Sequence, residues 1–387
     1  MFHFTALPPL SLYVHLPWCA RKCPYCDFNS HELRDGIPEA AYVEALIADL
    51  EQDLPAVWGR PVETLFIGGG TPSLFPAAAI DRLLSQLRAR LPLQADAEIT
   101  MEANPGSGEA AKFAELRAIG INRLSIGVQS FDDAMLRRLG RVHDAAEAIA
   151  AAEAAHAAGF EEINLDLMYG LPMQSVGQAL ADLEQAIALR PSHLSHYQLT
   201  LEPNTRFAHA PPPLPDHDVL WTMQQACQDR LAAAGYTQYE VSAYARAGHR
   251  CRHNLNYWLF GDYLGIGAGA HAKISSAMTQ RIVRSAKVRH PRDYLAKAAG
   301  PERIAEQRTL NRRDAGFEFM LNALRLNEGF PVALFAQHTG LPLLAVEAPL
   351  RLAEEKGLIE RDLHNIRPTE LGRRFLNDLT ALFLPEP

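Results

Sequence analysis

From residue 12 to about residue 200, short β-branched or apolar runs alternate with Ala/Leu-rich stretches whose apolar positions recur at helical spacing. The runs predict strands over 12–15, 64–67, 98–102, 123–128, 162–168 and 193–199. Helices are predicted between them, near 38–53, 76–90, 109–119, 145–158 and 176–189. A strand that pairs in parallel with the next needs a long crossover, and a helix supplies it. The expected fold is therefore α/β, a partial six-stranded parallel (β/α)6 barrel. In such sheets function collects on loops at the carboxyl ends of the strands, so that is where the motifs should fall.

The pattern breaks at 201–215, which holds five prolines, and resumes with a helix near 216–234 and an irregular middle region. Past about residue 303, compact helices with Gly-Leu turns lead into Gly357-Leu-Ile-Glu-Arg361 and Ile366-Arg-Pro-Thr369. Helices, a short hairpin and a last helix describe a small C-terminal winged-helix-like helical domain, with a plain helical cap as the alternative. The expected division is 1–205, 206–302 and 303–387. A chain of 387 residues, 48% of them hydrophobic, can bury a large core. A net charge of −8 gives no electrostatic footprint for nucleic acid. No signal-peptide pattern opens the chain, and no uncharged run reaches the roughly 18 residues of a membrane span, so a cytoplasmic protein that is not integral to a membrane is expected.

Five cysteines are too few for a disulfide framework, and three of them crowd into Cys19-Ala-Arg-Lys-Cys23-Pro-Tyr-Cys26 directly after the first strand. Three thiolates can hold an iron–sulfur cubane and leave its fourth iron open. A zinc site would want a fourth ligand, which His15 could supply. Cys227 reads as a helix-packing residue. Gly68-Gly-Gly-Thr-Pro72 follows the second strand, either as a tight turn or as a backbone that approaches a ligand. Further strand ends carry Glu102, Gln129 and Asp166, with Thr200 after the sixth. A carboxylate suits ribose hydroxyls, and the fork of Arg141 suits a carboxylate. Each could equally serve the fold. In His253-Asn-Leu-Asn-Tyr-Trp258, an imidazole able to ligate haem iron stands near two flat aromatic faces, Tyr257 and Trp258. The bland alternative is a locally bonded histidine with core aromatics. Gly265-Ile-Gly-Ala-Gly-Ala-His271 lacks the helix and acidic partner of a dinucleotide site and reads as close approach of backbone to a cofactor or haem. The basic stretch 281–292 reads as a solvated face, or as a contact for haem propionates or an acidic partner.

The Cys-x3-Cys-x2-Cys spacing after the first strand of a six-fold β/α repeat resembles the radical S-adenosylmethionine superfamily over about residues 10–270. The resemblance implies a [4Fe–4S] cluster on Cys19, Cys23 and Cys26, S-adenosylmethionine, and a reductant for the cluster. It also implies cofactor contacts. Tyr25 would lie along the adenine, Gly69, Gly70 and Thr71 would receive the methionine amino group, and Tyr13, Glu102, Gln129, Arg141, Asp166 and Thr200 would line the rest. Ser11–Cys19, the glycine loop and Asp166-Leu-Met-Tyr-Gly-Leu-Pro172 look like the branch containing oxygen-independent coproporphyrinogen III oxidase. That enzyme continues its motif as Cys-x-Cys, whereas this chain reads Cys26-Asp-Phe28, and its N-terminal arm is longer. The segment His253–Trp258 resembles the signature of the branch's haem chaperones of the HemW type. That implies haem on His253, Tyr257 and Trp258, and delivery to an acceptor such as a membrane respiratory protein. The alternative is a radical oxidase or decarboxylase acting on a porphyrinogen.

Overall fold

Alternate residues of the six strands separate into two faces, and the two faces have different fates. In β1 (Leu10–Leu16), Leu12 and Val14 point to one side while Ser11, Tyr13 and His15 point to the other. The same alternation runs through β2 (Val62–Gly69), β3 (Leu93–Ala103), β4 (Arg123–Gln129), β5 (Glu162–Tyr169) and β6 (His193–Gln198). Leu65, Ile67, Met101, Leu124, Ile126, Leu165 and Leu194 are fully buried in one continuous core with Leu46, Leu50, Leu83, Leu84 and Ala148 of the covering helices. The opposite face carries mainly polar residues in register: Tyr13, Phe66, Thr100 and Arg123 form one cross-strand row, and Glu102, Ser125, Asn164 and His193 another.

The computed structural model describes residues 2–34 and 36–385. The crossover helices are α1 (Glu39–Val57), α2 (Ala77–Arg88), α3 (Phe113–Ala118), α4 (Ala145–Ala157) and α5 (Val176–Ala188). Asp144 with Glu147, and Ser175 with Gln178, form reciprocal capping boxes that start α4 and α5. The helix expected over 109–119 is broken into a short turn at Ser107–Ala110 and α3, and Lys112 at the break reaches the Ser73 carbonyl at 3.0 Å.

After α6 (His217–Ala233) the middle region is not irregular. It supplies β7 (Thr237–Gln238), β8 (Ala243–Ala245), the short helix α7 (Arg252–Trp258), then β9 (Asp262–Ile266), β10 (His271–Ser276), β11 (Arg281–Lys287), helix α8 (Pro291–Lys297) and β12 (Ile304–Thr309). Among the described residues the main sheet has twelve strands in the order β12-β11-β10-β9-β1-β2-β3-β4-β5-β6-β8-β7. Strand β9 joins β1 in parallel, whereas β10 to β12 and β8 to β7 run antiparallel at the edges. Side chains from β2 to β6 share one cavity, so the parallel portion curves around it as a partial barrel.

The stretch 281–292 is a solvated face only in part, since Arg281, Arg289 and Arg292 are exposed while Lys287 turns inward. Lys287 is fully buried, with its ammonium 2.6 Å from both Asp49 and Asp53 of α1. Arg303 joins the same two carboxylates, and the Tyr294 hydroxyl donates to Asp49 at 2.7 Å. Charge carried into the interior demands such partners, here drawn from some 240 residues away.

The C-terminal unit comprises α9 (Arg312–Ala323), β13 (Phe330–Pro331), α10 (Val332–Thr339), α11 (Glu347–Glu355), the hairpin β14 (Ile359–Arg361) and β15 (Asn365–Pro368), α12 (Glu370–Arg374) and α13 (Leu376–Ala381). Helices followed by a small three-stranded sheet and closing helices match the winged-helix-like expectation. Its core of Phe319, Phe330, Phe335, Leu350 and Ile366 also takes in Phe2 and Phe4 from the start of the chain.

Candidate functional site

The first loop after β1 is tied down before any ligand is considered. Trp18–Cys19 pairs in parallel with His31–Glu32, and the Leu33 amide donates to the Cys19 carbonyl at 2.9 Å. Between them the Cys26 amide closes a turn on the Cys23 carbonyl at 3.2 Å, while Lys22 donates to the Phe28 and Ser30 carbonyls. The three cysteines are free thiols on the wall of one cavity. Burial pushes the Cys19 and Cys26 thiols up, and the nearby hydroxyls of Thr71 and Ser30 partly oppose the shift. Among the described residues no group of three His, Cys, Asp or Glu side chains closes on a single ion. Thiolates that each serve a different iron of a cluster need not converge on one point.

The cavity measures about 690 Å³ and lies at the carboxyl edge of the parallel strands. Of the residues singled out in the sequence, Tyr25, Gly69, Gly70, Thr71, Glu102, Gln129, Arg141, Asp166, Thr200 and Trp258 line it together with the three cysteines. Tyr13, His253 and Tyr257 do not. The Tyr13 hydroxyl meets His15 Nδ1 at 3.0 Å, and its ring stacks on Phe66. His253 is fully buried behind Phe66, with Nδ1 2.8 Å from Thr64 Oγ1 and Nε2 3.0 Å from the Tyr257 hydroxyl. Burial, with Arg123 adding to it, pushes His253 down to about 3, so its ring is neutral.

The glycine loop is shaped first by its protein neighbours. A Cβ on Gly70 would lie 2.4 Å from the Trp18 carbonyl oxygen, and one on Gly69, at φ 121°, would lie 2.6 Å from the His15 ring. Glu102 accepts from the Gly69 amide at 2.9 Å, and burial pushes its carboxyl up to about 7. Asp166 is raised by burial as well, against the pull of hydrogen bonds from Asn164, Ser195 and Ser125. Arg141 spends Nη2 on Asn104 and the Gly127 carbonyl, both at 2.7 Å, and turns Nη1 to Cys23 Sγ at 3.6 Å. Its Nε is buried without a partner. Gln129 sits at φ 72°, a strained value for a residue with a side chain, and accepts from the Tyr197 hydroxyl at 2.8 Å. Thr200 donates to Glu202 at the exposed mouth.

The second glycine run approaches protein, not open cavity. A Cβ on Gly267 would lie 2.4 Å from the His15 carbonyl oxygen, and Gly269 abuts Asn29, whose amide bridges the Ala268 and Arg289 carbonyls. Sequence reasoning passed over Asn29, Asn104, Tyr197 and Arg123. Arg123 lies deep in the cavity, 2% exposed, with Nε and Nη2 unpartnered.

Three thiols at one rim, two buried carboxylates and two arginines with spare donors fit a cluster together with a zwitterionic nucleoside ligand. The family model of the radical SAM superfamily matches residues 13–186, and that of the HemN C-terminal domain matches 310–375. Fold and site thus define a radical S-adenosylmethionine protein, a class whose cofactors are a [4Fe–4S] cluster and S-adenosylmethionine. The chain is 51% identical over 380 residues to the heme chaperone HemW of Escherichia coli (strain K12), covering 98% of this chain and 99% of that one. It is 48% identical over 384 residues to the heme chaperone HemW of Haemophilus influenzae, with the same coverage. The chain belongs to the HemW family of haem chaperones. Among solved structures, coproporphyrinogen III oxidase (HemN) from Escherichia coli superposes with a TM-score of 0.82 at 27% identity, covering 97% of this chain and 90% of that one.

Proposed function

We propose that the chain binds haem and passes it to an acceptor protein in the cytoplasm or at a membrane, from a scaffold in which Cys19, Cys23 and Cys26 hold the [4Fe–4S] cluster. The near full-length kinship with HemW carries this reading. No helix among the described residues is long and apolar enough to cross a membrane, so a membrane-bound acceptor would be met from outside the bilayer. Cys19, Cys23 and Cys26 would hold the cluster, which would supply a site for the methionine end of S-adenosylmethionine and an electron drawn from a reductant. The protein's part is to orient that ligand. Tyr25 covers the adenine, the Gly69–Thr71 backbone meets the amino group, and Arg141 directs its spare Nε to the carboxylate. Glu102 accepts from the ribose hydroxyls, and Asp166 and Gln129 close the far wall. His253, with Tyr257 and Trp258, shapes the haem-binding region.

Glu102 makes the cradle sensitive to pH. Its carboxyl titrates near 7, so the anion that accepts two hydroxyl protons is present above that value and is lost below it. S-adenosylmethionine affinity should therefore fall several-fold between pH 8 and pH 6, measured by equilibrium dialysis on reconstituted protein. Glu102→Gln should bind weakly and without that slope. An equal slope in the variant would remove Glu102 from the contact.

The test of the function is haem titration into purified protein, where a Soret band saturating at one haem per chain is expected. The likeness to HemN favours a second reading, a radical oxidase acting on a porphyrinogen. Phe28, exposed at the cavity where that enzyme's motif has its fourth cysteine, argues against it. Anaerobic incubation with reductant, S-adenosylmethionine and coproporphyrinogen III should yield no protoporphyrinogen. Turnover would establish the oxidase instead.

A further inference from the structure

An imidazole ligates iron through a nitrogen lone pair, and a neutral ring has only one. In His253 that lone pair is taken. Thr64 donates its hydroxyl proton to Ser11 at 2.7 Å, so its oxygen accepts from His253 Nδ1–H. The lone pair then sits on Nε2, where it receives the Tyr257 hydroxyl at 3.0 Å. His253 thus fixes the angle of Tyr257 and lines neither the cluster cavity nor the cleft that Tyr257 borders.

Tyr257 and Trp258 wall a second cleft, of about 680 Å³, between α7, the β9–β12 edge of the sheet and α9, and Trp258 also borders the cluster cavity. That volume lies within the roughly 300–1,000 Å³ of small-molecule sites. Tyr263, Phe317 and the partly exposed Leu321 extend its apolar wall. Opposite them, at the start of β10, stands the partly exposed His271, whose ring nitrogens have no hydrogen-bond partner among the described residues. Partial burial lowers its pKa, with the charges of Arg284 and Arg289 adding to the shift and Glu306 opposing it, which favours the neutral ring. Arg284 and the half-exposed Arg308 lie along the same cleft, both sharing Glu318, and Glu306 stands beside them. Lys273 also lines it but is spent on Asp262 at 2.9 Å.

We propose that this cleft is where haem binds, with His271 as the iron ligand, the Tyr257, Trp258 and Phe317 faces against the macrocycle, and Arg308 and Arg284 toward the propionates. The inference rests on the haem-chaperone reading and deepens it. An accessible cleft outside the cluster cavity suits a cargo that must leave, and His253 becomes a positioning residue. Flat aromatic faces suit a macrocycle, and guanidinium forks suit carboxylates.

The test uses full-length, cluster-reconstituted protein titrated with haem. His271→Ala should weaken haem binding at least tenfold and abolish the histidine-ligated spectrum, and added imidazole should restore that spectrum. His253→Ala should keep the histidine-ligated spectrum while loosening binding. Leu321→Trp, a change at the partly exposed wall, should exclude haem while cluster iron stays unchanged, and it decides the matter should His271→Ala fail to fold. Wild-type protein that takes up no haem would overturn the chaperone reading itself. Normal haem uptake by Leu321→Trp, or an unchanged spectrum in His271→Ala with loss in His253→Ala, would overturn only this cleft.

Discussion

Protein in which Cys19, Cys23 and Cys26 are all replaced by serine should retain almost none of the about four irons per chain that reconstituted wild type carries. A serine hydroxyl stays protonated at neutral pH, so it offers iron no anionic ligand where a thiolate does. The loop itself should survive. Its pairing with His31–Glu32 and the bonds from Lys22 use backbone atoms and a lysine, not the sulfurs. S-adenosylmethionine affinity should fall with the iron, because the methionine end loses its anchor. Iron and sulfide analysis after anaerobic reconstitution, with the absorbance of the cluster, reads the outcome. Iron content equal to wild type would end the assignment.

The second large effect is on stability. Asp49 is fully buried and answers two cations, Lys287 at 2.6 Å and Arg303 at 2.8 Å, besides the Tyr294 hydroxyl and the Gly267 amide. Asp49→Ala strands that positive charge in the interior with Asp53 alone as its counter-ion. The expected cost is about 3–5 kcal/mol, the range found when one partner of a buried ion pair is removed. Asp49→Asn, which keeps the shape and some hydrogen bonds, should cost less. Denaturant unfolding of the three proteins checks this, and a loss below about 1 kcal/mol for the alanine variant would contradict it. The damage should also spread to the site, since Asp49 and Tyr42 hold the Gly267 and Ala268 amides of the loop that runs up to His271.

Why β1 to β6 could be read from the sequence while β7 to β12 could not is a matter of what each strand buries. The inner strands lie under helices on one face, so aliphatic residues recur at alternate positions in most of them and the period shows. Strand β12, Ile-Ala-Glu-Gln-Arg-Thr, is almost wholly exposed, and β8 has three residues, so neither carries a period that could be recognised. Lys273 and Lys287 read as surface residues but are buried against carboxylates, Asp262 on the adjacent strand for the first and Asp49, 238 residues away, for the second. The site divides along a similar line. Cysteine spacing and the glycine loop are local patterns with a direct chemical meaning, and they were legible. Asn104 accepts from Arg141, in a loop 37 residues on, and Asn164 accepts from His193 on the adjacent strand while donating to Asp166 on its own, and a lone asparagine says nothing about such partners. The haem motif was the hardest case. Its residue types were evident, but only coordinates show that both nitrogens of His253 are already engaged.

The position of β1 in the sheet sets the order in which the chain can be completed during synthesis. This strand emerges from the ribosome before the rest of its sheet, yet one of its two flanks belongs to β9, whose Asp262 pairs opposite Leu10 some 250 residues later. Until then a strand of alternating aliphatics waits with an unsatisfied edge, the kind of surface on which nascent chains aggregate. A translation product that stops at the proline-rich loop would keep that edge bare.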